Sequence, residues 1–339
     1  MGCYCGGLNP LIVRGVVGAG NGELGARVRS ARRTCRDSWV DYKGIRYVTS
    51  GMPRAIRDGV SIYYERDESE DGGTPVVFVQ GLGYGRWMWR WQREAVGDRY
   101  DVVAPDNRGT GQSDAGLPPL LPRLPRKLRA PLIFKLAGYS VGGLAADLEA
   151  VLEDAGIREA HVVGASMGGM IAQRYAIEYS RAKTLTLCCT SHGGPDAVPV
   201  PDETQEFIFD VPDGANERET IRHRMRPAFT ERFTNRNPHL MDRIIEWRLE
   251  QDATDPAREA QAAAVLNFDV SDRLERIRVP TLVLHGTDDR VVPFENALLL
   301  EEAIPDARLE RFEGGSHLFF IEDADGVNEE LLAFLDANE

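Results

Sequence analysis

Gly164-Ala165-Ser166-Met167-Gly168 sets a serine between two glycines, directly behind the apolar run 160–163 and directly ahead of the helix-period segment 169–179. A serine lifted onto a tight strand-to-helix turn stands clear of its neighbours, so its hydroxyl is free to act as a nucleophile. The backbone N–H of Met167 then points to where an oxyanion would form. In a chain with 34 glycines three fixed positions are met by accident often enough that the context must carry the reading. Here the flanking glycines leave room for a strained turn, and Gly168 with Gly169 lets the following helix press against the sheet.

A serine nucleophile needs a base, and two later loops offer one. After the apolar run 281–285 comes Gly286-Thr287-Asp288-Asp289-Arg290-Val291-Val292-Pro293, in which either aspartate can orient a histidine. After the run 308–312 comes Glu313-Gly314-Gly315-Ser316-His317, which sets His317 at the carboxyl end of a strand. Neutral imidazole would take the serine proton, a carboxylate would hold the ring's tautomer, and the same ring would reprotonate the leaving group.

The elements that must position these groups are visible as well. Apolar runs at 75–80, 100–104, 160–163, 184–189, 281–285 and 308–312 are separated mostly by helix-period segments, which predicts an α/β class with a mostly parallel sheet. Asp58-Gly59 predicts a hairpin pairing 54–57 with 61–65. Leu144, Leu148, Val151, Leu152 and Ala155 make one helical stripe, and Val327, Leu331, Leu332 and Phe334 another. In such sheets reactive groups gather at the carboxyl ends of the strands, where Ser166 and His317 both fall.

From about Met52 to its end the chain resembles the α/β-hydrolase superfamily, in its group of esterases and lactonases. The resemblance rests on the Gly-x-Ser-x-Gly turn, on the order Ser166, Asp289, His317, and on Asp106-Asn107-Arg108-Gly109-Thr110-Gly111-Gln112-Ser113-Asp114, which is similar to that family's Asp-x-Arg-Gly-x-Gly-x-Ser segment. It implies that the acid stands three residues after Gly286, hence Asp289 rather than Asp288. It also implies a second oxyanion donor, the backbone N–H of Leu82 in Gln80-Gly81-Leu82-Gly83-Tyr84-Gly85, where Gln80 departs from the commoner histidine and is read as structural. Asp106 and Arg108 are expected to brace their loop.

The fold expected is therefore an α/β-hydrolase core, 52–190 and 268–339, with a helical cap at 191–267 between the sixth and seventh core strands and a poorly patterned extension, 1–51. Cap helices are expected to begin at Asn237-Pro238 and Asp255-Pro256, with Asn237 and Asp255 as capping side chains. Leu240, Ile244 and Trp247 share one helix face and are expected to pack on the core. The stretch 116–136 holds Pro118, Pro119, Pro122, Pro125 and Pro131 with five basic and no acidic side chains, and reads as a surface loop. His161 and His285 read as buried strand histidines, and His192 as the one spare base.

Composition bounds the rest. With 339 residues, 42% hydrophobic and 27% charged, the chain is globular, and its formal charge of −13 disfavours nucleic acid. Apolar runs fall short of a membrane span, so a cytoplasmic protein without stable membrane insertion is expected. The odd set Cys3, Cys5, Cys35, Cys188 and Cys189 predicts neither a disulfide framework nor a metal site. No cofactor is called for. The expected activity is cleavage of a small carboxylic ester or lactone through an acyl-enzyme. The same triad also serves perhydrolysis, carbon–carbon hydrolysis, peptide hydrolysis or acyl transfer, and a non-catalytic receptor or scaffold is the alternative of another class.

Overall fold

The computed structural model describes residues 37–40, 46–49, 53–70, 72–136, 138–209 and 214–339. Most of the extension 1–51, with Cys3, Cys5 and Cys35, lies outside them. Inside it, the short strands Asp37–Val40 and Arg46–Thr49 pair antiparallel.

Strands β1 (Arg54–Arg57), β2 (Val60–Asp67), β3 (Gly73–Val79), β4 (Tyr100–Pro105), β5 (Ala160–Ala165), β6 (Ala182–Cys188), β7 (Thr281–Gly286) and β8 (Ala307–Phe312) form one sheet. Its spatial order is β8-β7-β6-β5-β3-β4-β2-β1. The pairs from β8 through β4 are parallel, whereas β2 runs antiparallel to both β4 and β1. The β1–β2 hairpin turns at Asp58 and Gly59, both at positive φ, as the Asp-Gly pair predicts.

Central strands are covered on both faces, which is why they read as unbroken apolar runs: Val76, Val77, Phe78, Leu282, Val283 and Leu284 are fully buried. Edge strand β8 instead has no fully buried residue, and its exposed Arg308 pairs with Glu310. In chain order the helices are α1 (Arg90–Val96), α2 (Arg126–Leu136), α3 (Val141–Asp154), α4 (Met167–Glu178), α5 (Asp202–Phe209), α6 (Glu217–Met225), α7 (Glu231–Arg236), α8 (Pro238–Gln251), α9 (Asp255–Leu266), α10 (Glu295–Ala303), α11 (Phe319–Glu322) and α12 (Ala324–Asp336). On one face of the sheet α3 buries Leu144, Leu148, Val151 and Leu152 alongside Met170 and Ile171 of α4. On the other, Val327, Leu331 and Phe334 of α12 join Trp87, Trp89 and Ile244. Each such side chain contributes about 1.5–3 kcal/mol on leaving water.

Neighbouring strands β3 and β5 are the switch point: the chain leaves β3 for β4 on one side and returns across it to β5. Loops leaving such a pair diverge and open a crevice at the carboxyl ends. The two loops here carry Gln80-Gly81-Leu82 and Ser166.

Helices α5–α9 occupy the connection between β6 and β7, where the cap is expected, but their starts differ from the sequence reading. Asn237 does precede α8, yet its amide donates back to Phe233 O at 2.9 Å instead of capping. Asp255 lies inside the first turn of α9, behind Thr254 at the N-cap. Ile244 is buried, and Trp247 stacks on Trp87 at 6.3 Å, so this face packs on the core as expected.

The stretch 116–136 is not a loop. It forms a 3-10 turn, Leu121–Arg123, and α2, with Pro131 inside the helix. Leu121 and Ile133 pack with Ala260 and Ala263 of α9, and Arg129 pairs with Glu259 through two hydrogen bonds of 2.8 and 2.7 Å. Tertiary docking on α9 outweighs the roughly 3 kcal/mol that an internal proline costs a helix.

Candidate active site

Ser166 sits between β5 and α4 at φ 55° and ψ −119°, a region that side-chain-bearing residues rarely enter. Holding it there costs about 1–3 kcal/mol, and the surroundings impose it. The Ser166 N–H donates to Cys188 O at 2.9 Å, while Ser166 O accepts from Met170 N–H at 3.1 Å and from the Thr190 hydroxyl at 2.7 Å. The backbone after the turn is equally constrained: a Cβ on Gly168 would stand 2.1 Å from Val79 O. Gly168→Ala is therefore expected to lower stability by about 3 kcal/mol, as over-packing does. A urea-unfolding midpoint equal to that of the parent protein would contradict this.

The aspartate and histidine come from the next two loops. Gly286 lets them meet, since a Cβ there would stand 2.3 Å from Gly315 O. Asp289 Oδ2 lies 2.8 Å from His317 Nδ1, and Oδ1 accepts from Val291 and Val292 N–H at 2.8 and 2.9 Å. Its neighbour Asp288 is exposed and contributes a backbone N–H to Gly315 O.

His285 adds a contact that the sequence did not suggest. Its Nε2–H donates to Val292 O at 2.9 Å and lies 3.3 Å from Asp289 Oδ2, so it steadies the loop and the carboxylate together. The His317 loop is held by the segment between α6 and α7: the Ser316 hydroxyl and the Leu318 N–H both donate to Ala228 O.

Burial alone would favour neutral Asp289, but attraction to His317 and hydrogen bonds from His285 and His317 outweigh it and hold the carboxyl well below the usual carboxylate range. A depressed folded-state pKa adds stability that is complete above the unfolded value of about 3.9 and is lost as pH falls through the folded one. The stability difference between the parent protein and Asp289→Asn is thus expected to shrink steadily below about pH 4. Urea unfolding of both proteins between pH 7 and pH 3 tests this, and a gap that widens with acid would overturn it.

Cys189 borders the acid and the imidazole. Its backbone has φ 42°, and its sulfur lies within 4.8 Å of the nearest donor atoms of Asp289 and His317. These three residues are the one group among the described residues with metal-ligand spacing. Burial first, then the Asp289 charge, pushes the Cys189 thiol well up, which disfavours the thiolate that a metal needs.

The loop after β3 faces Ser166: a Cβ on Gly81 would lie 3.4 Å from the serine Cβ. Gln80 is fully buried and donates from Nε2 to Phe78 O at 3.2 Å, while its main-chain O accepts from Asn107 Nδ2 at 2.9 Å. Leu82 follows in the same turn, and Met167 is the first residue of α4.

Asp106 and Arg108 brace their loop through other partners. Asp106 pairs with Arg86, and Arg108 pairs with Asp147 at 2.9 and 2.7 Å. His161 bonds Thr184 and Glu339, and His192 donates from Nδ1 to its neighbour Gly193 O. A cleft of about 610 Å³, lined in part by Phe229, Thr230, Asp288, Asp289 and Arg290, opens beside the acid and includes neither Ser166 nor His317. No helix among the described residues is long and apolar enough to cross a membrane.

Comparison with known proteins agrees with this architecture. The profile of the α/β-hydrolase fold matches residues 74–324. A putative carbamate hydrolase RutD of Azorhizobium caulinodans is 31% identical over 298 residues, covering 84% of this chain and 98% of that protein. The 2-hydroxy-6-oxo-6-phenylhexa-2,4-dienoate hydrolase of Comamonas testosteroni is 33% identical over 275 residues, covering 78% and 88%. The enol-lactonase of Burkholderia xenovorans LB400 superposes with a TM-score of 0.67 at 25% identity, covering 84% of this chain and all of that one. These relatives fit an enzyme of the hydrolase type acting on a small molecule. The chain belongs to the α/β-hydrolase family.

Proposed function

We propose that this protein is a serine hydrolase cleaving a carboxylic ester or lactone through an acyl-enzyme. The observation that carries the reading is a strained serine that follows β5, in the same parallel array whose strand β8 leads to a histidine with its Nδ1 held by a buried carboxylate at 2.8 Å. With Nδ1–H donated to Asp289, Nε2 is the lone-pair nitrogen and takes the proton from Ser166 Oγ as it attacks the carbonyl. The Leu82 and Met167 N–H groups hold the oxyanion, and His317 gives its proton to the leaving alcohol. Water then repeats the sequence on the acyl-serine. In this reading 52–190 and 268–339 make the catalytic core, 191–267 is a cap that shields the intermediate, and the enzyme works in the cytoplasm.

The acyl-serine also serves perhydrolysis, acyl transfer or carbon–carbon hydrolysis, depending on which nucleophile and leaving group the pocket admits. Support for ester and lactone chemistry comes from the enol-lactonase and from an esterase of Exiguobacterium antarcticum, which superposes at 26% identity and a TM-score of 0.66. A fluorophosphonate tests the nucleophile. One adduct on Ser166, with loss of turnover on a panel of esters and lactones, is expected; folded protein that stays unlabelled would favour a non-catalytic receptor instead.

A further inference from the structure

Beside the turn that carries Leu82 lies a concentration of positive charge with too few partners. Arg248 of α8 and Arg258 of α9 have side chains only 2% and 12% exposed, and they share one carboxylate, Asp252, at 2.7 and 3.9 Å. That carboxylate is already engaged: its Oδ1 accepts from Gly85 N–H at 3.1 Å and from Trp87 Nε1–H at 2.9 Å. Arg224 of α6, 15% exposed and within electrostatic reach of Arg258, pairs with Asp255, which is 61% exposed and well hydrated. Two buried guanidinium groups thus share one buried carboxylate, with a third, Arg224, near enough to raise the positive potential at Arg258.

Each also keeps a donor unused. Arg224 Nε, Arg248 Nη1 and Arg258 Nε are buried without a hydrogen-bond partner. An orphaned donor on a buried cation is expensive, and native proteins retain such groups where something else supplies the acceptor. Burial, together with the charges of Arg248 and Arg224, brings the Arg258 guanidinium down to about 10 despite Asp252.

The location ties this charge to the reaction centre. A Cβ on Gly83 would stand 2.3 Å from Arg258 Nη1, and Arg248 lies over the Tyr84 ring at 4.6 Å. The position of a Gly81 Cβ is 3.5 Å from that ring and 3.4 Å from Ser166 Cβ, so one short turn separates the guanidinium groups from the nucleophile. Although the protein as a whole carries −13, the surroundings of this turn are cationic.

We propose that Arg224, Arg248 and Arg258 form a carboxylate-binding subsite, so that the favoured substrate is an ester or lactone bearing a second, free carboxylate. The subsite deepens the hydrolase reading and rests on it for the reacting end of the substrate. Guanidinium forks match a carboxylate in shape and charge, and the orphaned donors supply the hydrogen bonds.

Calorimetric titration of Ser166→Ala with monoethyl glutarate and diethyl glutarate tests the subsite without turnover. The monoester is expected to bind at least about tenfold more tightly, because charge-assisted hydrogen bonds in a dry site exceed that factor. Arg258→Gln in the same background is expected to cut the preference to below about twofold, and the comparison of the two esters stands even if this variant folds poorly. In the parent enzyme the ratio of kcat/KM for the two esters should follow the binding preference. Equal or undetectable affinities overturn the subsite, whether or not the parent enzyme hydrolyses esters. A binding preference with no turnover of either ester leaves the subsite in place and removes the hydrolase reading.

Discussion

Ser166→Ala is expected to reduce kcat/KM on any responsive ester by about ten-thousandfold or more, with unfolding stability unchanged within about 0.5 kcal/mol. The loss is large because members of a triad act as one unit, so removing the nucleophile leaves only the oxyanion donors and binding to act. Ser166→Gly should be equally inactive yet more stable by about 1 kcal/mol, because φ 55° with ψ −119° costs glycine little. Such a pair of variants separates chemistry from strain. Residual turnover within tenfold of the parent in either would place the nucleophile elsewhere.

Asp289→Asn is expected to lower kcat by about a thousandfold to ten-thousandfold, whereas Asp288→Asn should change it less than about threefold. The asymmetry follows from the contacts. Oδ1 accepts two backbone N–H groups, which fixes the oxygen of an asparagine there and turns its NH₂ toward His317 Nδ1 and His285 Nε2. Facing a donor, His317 Nδ1 must become the acceptor; the proton moves to Nε2, and the ring can no longer accept from Ser166. Asp288 is exposed, and its contribution to the loop is its main chain, which asparagine preserves. A greater loss for Asp288→Asn, measured by steady-state kinetics on the same ester, would reverse the assignment.

How far the sequence reaches depends on how local each interaction is. Strands β3 and β5–β7 are legible because burial on both faces leaves unbroken apolar runs, and the β1–β2 hairpin because Asp-Gly adopts positive φ readily. Ser166 and His317 can be picked out by their places after strands. Asp289, by contrast, is separable from Asp288 only through family resemblance, and its contacts follow the same choice. The helix through Pro131 is missed because what stabilises it lies far away in α9. Asn237 and Asp255 have the right types for N-caps, but Asp255 falls inside the first turn of α9, behind Thr254 at the N-cap position, and Asn237 turns toward Phe233. The grip of Ala228 on the histidine loop, the contact of His285 with Asp289, and the meeting of Arg248 and Arg258 at Asp252 beside Tyr84 all join segments or turns that no local pattern relates. No spacing rule relates such positions.

The acyl-enzyme is tested most directly by rapid acid quench of the enzyme with excess 4-nitrophenyl acetate, followed by peptide mapping. One acetyl group per chain, on Ser166 and formed in step with the first equivalent of nitrophenol, is the predicted result. Full release of nitrophenol with Ser166 unmodified throughout, or an acetyl group carried on another residue, would contradict the mechanism.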